Sequence, residues 1–286
     1  MNIRKLSCLA LSGVVASLYS TPLQAAQKML YFGIVPQQAA SRLAKMWVPF
    51  IDELSQRTGH KIQFATMKDI PTFEQCLAQG AYDISYMNPY HYTVFSEKSG
   101  YRALAHQADK KLKGLIVVRK DSPAKELKDL NTQKLAFPSP AAFGASVLPR
   151  AEMRAQGMKI TPNYVKSHDS VYKSVIAGLF AAGGGVQRTF ASIPDGMRDQ
   201  LRVIYHTEAY TPHAFAVNAT LSEKDMKIIR QAMLDISAER SDLIKGIGMK
   251  GLVSAQDENW NDVRALGLTQ NETEIVHKGT VQCRFD

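Results

Sequence analysis

The chain has 286 residues, 45% of them hydrophobic and 21% charged, with a formal charge of +9 at pH 7. A chain of this length buries a core without metals or disulfides, and its composition excludes a disordered or fibrous protein. The cationic excess favours anionic partners, but no long Lys/Arg block or aromatic–basic motif accompanies it, so nucleic acid is not expected as a partner.

The first residues have three parts. Arg4 and Lys5 supply positive charge, Leu6 to Tyr19 is mostly apolar, and Leu23-Gln24-Ala25 resembles a small-residue cleavage site, with Ala26 a nearby alternative. This reads as a cleavable signal peptide over residues 1–26 rather than a membrane span, because the apolar run is too short. Cys8 stands at the start of that run, not after it, and so is not a lipidated anchor. The expectation is a periplasmic, exported protein with a mature charge of about +7.

Met29 to Val35 reads as a buried strand. Leu43, Trp47, Phe50, Ile51 and Leu54 share one helical face, with Gly59 as the stop. Lys61 to Ala65 is a second strand, Phe73 to Gln79 a short helix, and Tyr82 to Met87 a third strand. This β-α-β-α-β order is that of a mainly parallel sheet. Tyr90 to Glu97 is helical, Tyr101 to Gln107 extended, and Leu112 to Val118 strongly apolar. The alternation then restarts. Lys134 to Phe137 is a strand, Ala145 to Gln156 a helix stopped by Gly157, Tyr164 to Lys166 a strand, Ser170 to Leu179 a helix and Leu201 to Tyr205 a strand. Ala214 to Val217 is again extended. Glu223 to Ile236 is a helix whose buried face holds Met226, Ile229, Met233 and Ile236, with a capping box at Ser222 and Asp225. A further helix spans Ser241 to Lys250.

One α/β unit is thus interrupted by a second and then resumed. Lobe 1 is expected over 27–115 plus 214–286 and lobe 2 over 116–213, with crossings near Leu112–Lys120 and Tyr205–Val217 acting as a hinge. A ligand sits between such lobes, outside the carboxyl ends of the strands. Cys76 and Cys283 survive export; an oxidising compartment permits their pairing, and idle thiols are the alternative. No metal spacing, GxSxG or paired-acid motif is present, so no metal, cofactor or catalytic residue is expected.

Four turns between strand and helix face the expected cleft: Pro36-Gln37-Gln38, Met87-Asn88-Pro89-Tyr90, Ser139 to Ser146, and Ser167-His168-Asp169-Ser170. Small residues at Gly144, Ala145 and Ser146 let backbone approach a ligand, and a helix start there favours an anion. His168 either donates to that anion or only caps its helix. Gly183-Gly184-Gly185 lacks the Lys of a phosphate loop and reads as close backbone packing or a bend beside Gln187.

These stretches carry a resemblance. Tyr31-Phe-Gly-Ile-Val-Pro36, Trp47-Val-Pro49-Phe50, Tyr82-Asp83-Ile-Ser-Tyr86, Phe137-Pro-Ser-Pro140 with Leu148-Pro149, and Ser167-His168-Asp169 resemble the phosphonate/phosphite-binding protein family of ABC transporters. The resemblance implies an α/β, type II periplasmic binding protein fold, with two lobes of central mixed sheets joined by a two-strand hinge. It also implies Venus-flytrap closure, no enzymatic activity, and delivery of a small anionic ligand to an ABC permease in the inner membrane. The alternative partner is a membrane sensor kinase or chemoreceptor.

The family's phosphonate-binding hydroxyls fall on Ala142, Phe143 and Gly144, its contacting tyrosines on Ile70 and Met87, and its acidic pair on Gln187 and His213. His168 is retained. Each lost hydroxyl removes a hydrogen bond worth roughly 1.5–3 kcal/mol to a charged group. The ligand is therefore expected to be less heavily charged than a phosphonate, with an apolar or aromatic part, and 2-aminoethylphosphonate is expected to bind poorly. The ligand-site residues expected are Met87, Asn88, Tyr90, Phe143, Gly144, Ala145, Ser146, His168, Gln187 and His213.

Overall fold

A computed structural model describes residues 28–285. The signal-peptide expectation for 1–26 lies outside the described residues. In chain order the elements of the first half are β1 (Met29–Ile34), α1 (Ala40–Thr58), β2 (Lys61–Ala65), α2 (Ile70–Ala78), β3 (Ile84–Met87), α3 (Pro89–Ser99), β4 (Arg102–Gln107), β5 (Leu112–Arg119) and β6 (Lys134–Phe137). A π-helical turn over Phe143–Val147 leads into α4 (Leu148–Ala155), then β7 (Thr161–Tyr164), α5 (His168–Ile176), β8 (Ala182–Val186), α6 (Gln187–Ser192), α7 (Asp195–Arg198) and β9 (Leu201–Tyr210). The remainder is β10 (Ala214–Val217), α8 (Glu223–Glu239), α9 (Ser241–Gly246), β11 (Leu252–Ser254), α10 (Asn261–Arg264) and α11 (Gln270–Thr273).

Hydrophobic period converts directly into these elements. The five apolar residues of α1 at helical spacing are all buried, and Gly59, at φ 71°, ends the helix in the left-handed conformation that glycine adopts without strain. Asp69 and Asn88 cap α2 and α3 by accepting from the backbone N–H of Thr72 and His91. In α8 the capping bond from Asp225 N–H to Ser222 Oγ is present, but Met226 is only half-buried; the seam is carried by Ile229, Ala232, Met233 and Ile236.

The strands form two mixed sheets. The first has the order β11-β4-β10-β3-β1-β2 and the second β7-β6-β8-β5-β9. In the first, β1 is parallel to β2 and β3, while β10 runs antiparallel between β3 and β4. In the second, β6 is parallel to β7 and β8, and β5 is antiparallel to β8 and β9. The chain crosses between sheets at residues 108–111 and 211–213. The second crossing falls inside the expected range. The first lies earlier than expected, because β5 pairs with β9 from Leu112 onward, which places residues 112–115 with the second sheet.

Strand β8 was not legible as a strand, since glycine is a poor strand former. Its glycines are required by close approach. A Cβ on Gly184 would lie 1.9 Å from Ala145 O, and one on Gly114 of β5 would lie 2.0 Å from Gly144 O. The Phe143–Val147 turn is thus pressed by its backbone onto the second sheet, and it takes the place of the first helical turn expected at Ala145.

The C-terminal segment is strapped to the first lobe. Cys76 of α2 is disulfide-bonded to Cys283, and Phe285 packs on Tyr31 and Tyr82. The buried Glu74 carboxylate binds His91 Nε2 at 3.0 Å and accepts from Val276 N–H. Among the described residues, no helix is long and apolar enough to cross a membrane.

Candidate functional site

Parallel strands end at the same edge of a sheet, so the loops after β1 and β3 face those after β6, β7 and β8. The two sets meet. His168 N–H donates to Gln37 O at 2.9 Å, and Asn88 Nδ2 donates to Ala141 O at 3.2 Å. Gln38 Nε2 donates to Ser192 Oγ at 2.7 Å, and Asp169 receives both Ala39 N–H and the Arg42 guanidinium. The lobes are therefore closed on each other. The cavity left at the junction is about 30 Å³, lined by Tyr86, Val186, Gln187, Arg188, His213 and the segment Lys110–Lys113, and is the size of one water molecule.

A polar network fills this junction. Gln37 Oε1 accepts from Arg188 Nη2, so its amide nitrogen is the group 3.2 Å from His213 Nε2. That nitrogen donates, and His213 is consequently neutral with its proton on Nδ1. The His213 ring stacks on Tyr86 with centroids 5.0 Å apart, and the Arg188 guanidinium lies 5.4 Å from the centre of the same Tyr86 ring. Thr189 Oγ1 donates to Val186 O and so accepts from His168 Nδ1, 3.0 Å away.

Burial, aided by the Arg188 charge, pulls His168 down to about 3. Burial first, then Arg188, His91 and His168, push His213 well below the ordinary imidazole range. Burial raises the Tyr86 phenol, and Arg188 opposes that rise. Among the described residues, three buried polar atoms on the loops and helix start that meet at this junction have no partner: Arg188 Nη1, Ser139 Oγ and Gln38 Oε1. Each carries a desolvation cost that a ligand group can repay. Asp169, the carboxylate of this interface, is already engaged by Arg42.

The structure brings His168, His213, Asn88 and Gln187 to the junction and distributes the other expected residues differently. Asn88 serves as helix cap and cross-lobe donor at once. Gln187 is exposed at the cavity mouth. Met87 is fully buried in β3, in register with Ala214. Tyr90 turns to the C-terminal strap, its hydroxyl 3.0 Å from Thr273 Oγ1. Phe143 packs edge-on against Tyr210, and Gly144 and Ala145 press on the second sheet. Ser146 Oγ accepts from Arg150 Nε, and Ser146 N–H is taken by Ala142 O. An apolar patch from Phe143 and Met87 is thus absent from the cavity lining.

Arg188, Tyr86 and Thr189 of the junction carried no ligand expectation from the sequence, and Ser139 entered only as the start of the Ser139–Ser146 turn. The available signal for Arg188 was a cation three residues after the glycine run of β8.

A family model described as ABC transporter, phosphonate, periplasmic substrate-binding protein matches residues 32–260. Among solved structures, a binding-protein component of an ABC phosphonate transporter from Pseudomonas aeruginosa is 15% identical, over 90% of this chain and 91% of its own, with a TM-score of 0.78. PhnD1 from Prochlorococcus marinus, in complex with methylphosphonate, is 17% identical over 86% and 99%, also with a TM-score of 0.78. A Xanthomonas citri protein bound to ATP is 16% identical over 83% and 95%, with a TM-score of 0.66. At these identities the structural likenesses show the fold.

Proposed function

The chain belongs to the family of periplasmic substrate-binding proteins of phosphonate ABC transporters, and from that premise we propose that it grips a small oxyanion of phosphonate type at the junction of its lobes and surrenders it to a membrane permease. It is the solute-capturing component of such a transporter, and it takes no catalytic part. The supporting observation is the set of three unpartnered buried polar atoms, Arg188 Nη1, Ser139 Oγ and Gln38 Oε1, at an interface otherwise furnished with donors and neutral imidazoles.

A cavity of about 30 Å³ admits no whole solute, so entry requires the lobes to part about 108–111 and 211–213. An incoming oxyanion then competes with Gln37 Oε1 for Arg188. It meets a planar fork suited to two oxygens. Methylphosphonate, which the Prochlorococcus marinus neighbour holds, is of this class.

Thermal denaturation against methylphosphonate, phosphite, phosphate, acetate and a neutral amino acid tests the reading. A true ligand at 100 times its Kd stabilises by about 2.7 kcal/mol. Stabilisation by phosphonates or phosphite is the expected result. Stabilisation by the amino acid alone, or by nothing in the panel, overturns it. No observation favours the sensory alternative.

A further inference from the structure

The mouth of the junction carries more positive charge than a single oxyanion needs. Four cations line it, Lys110, Lys111, Lys113 and Arg188, with no carboxylate among the lining residues. Lys111 is engaged, its Nζ 3.1 Å from Thr211 Oγ1 and 3.5 Å from Asp262. Lys110 and Lys113 are exposed and, among the described residues, have no carboxylate partner. Asp109, the adjacent acid, is exposed at φ 52° and is not part of the lining.

These lysines stand on the first crossing segment and the start of β5, and Arg188 follows the end of β8, whose Val186 is in register with Gly114 of β5. Once the lobes part to admit an oxyanion at Arg188, any remaining part of a solute must extend past the lysines of the same lining. A tail bearing an ammonium group would lie among like charges there, which costs free energy at any protein dielectric. A tail bearing an acid would be attracted. Burial, aided by Arg188, keeps the two imidazoles beside it neutral, so neither adds charge to the lining.

We infer that the solute is doubly anionic: one oxyanion group at Arg188 and a second acidic group, on a short linker, reaching Lys110 and Lys113. This rests on the junction being the phosphonate-type site proposed above. It replaces the expectation of a less charged ligand with an apolar part.

Calorimetry with the whole chain and three ligands of matched length separates the possibilities: 3-phosphonopropionate, propylphosphonate and 2-aminoethylphosphonate. 3-Phosphonopropionate should bind tightest, by about 10-fold over propylphosphonate, as two partly solvated charges supply. The advantage should shrink between ionic strengths of about 0.01 M and 0.15 M. The double substitution Lys110→Ala with Lys113→Ala, on exposed side chains, should weaken 3-phosphonopropionate about 10-fold and leave propylphosphonate almost unchanged. Equal affinity for the acid and the alkyl compound, preference for the amine, or equal weakening of both ligands in the variant overturns this inference while the phosphonate reading stands. Binding of none of the three defeats both.

Discussion

Acidification from pH 7 to pH 5 should open the junction, and His168 sets the scale. Its imidazole is held at about 3 in the closed form by burial and by Arg188, against an ordinary value near 6.5 once solvated. The closed form therefore binds fewer protons than the open one. Its advantage is complete above about pH 6.5 and is lost progressively as pH falls toward 3. Between pH 7 and pH 5 the loss is about 1.4 kcal/mol for each pH unit below 6.5, or about 2 kcal/mol. That is roughly a 25-fold change in the ratio of closed to open forms.

His213 shifts in the same direction and adds to the effect. Asp169, the acid beside His168, is bound to Arg42 and Ala39 N–H across the junction. Small-angle scattering and the distance between one fluorophore on each lobe should both report expansion at pH 5, with far-ultraviolet circular dichroism unchanged. The His168→Gln variant should lose much of the response. An inter-lobe distance that is constant from pH 7 to pH 5, or that shortens, would refute the reasoning.

Arg188→Gln removes the fork and its charge; phosphonate affinity should fall about 10- to 100-fold, the loss of a charged hydrogen-bond pair, with little change in melting temperature. Cys283→Ser should lower stability in urea by about 2–5 kcal/mol, the usual cost of losing a native disulfide, because Cys283 ties the C-terminal strap to α2; an unchanged midpoint would show that Phe285 and Val276 hold the strap unaided. Gly184→Ala should cost about 1–3 kcal/mol, since its Cβ would meet Ala145 O at 1.9 Å, and a neutral result would show that the Phe143–Val147 turn yields easily.

Local pattern settled much of this fold. The helical spacing of Leu43, Trp47, Phe50, Ile51 and Leu54, the stop at Gly59, and the β-α-β-α-β order at Met29 to Met87 are properties of neighbouring residues. They survive in the structure because burying those faces is the dominant gain. The return of Ala214 to Val217 to the first sheet was legible for the same reason. What stayed hidden depends on partners far apart in the chain. The glycines at 183–185 form a central strand by pairing with β5 and β6, and glycine is needed there because Ala145 O, Val171 and Tyr172 leave no room for a Cβ. Cys76 finds Cys283, 207 residues away, only once the strap has crossed α2.

The candidate site divides along the same line. His168 was visible as an imidazole at a turn and His213 through the family resemblance, whereas Arg188 gained its meaning from Gln37 and Tyr86 on the opposite lobe. Phe143 lost its expected place in the cavity because its turn is pinned to the second sheet. Sequence by itself determined which segments become strands and helices, since that is decided by periodicity over a few residues. Only the tertiary structure decided which side chains share a closed junction, because burial and charge proximity are set by the packing of one lobe on the other.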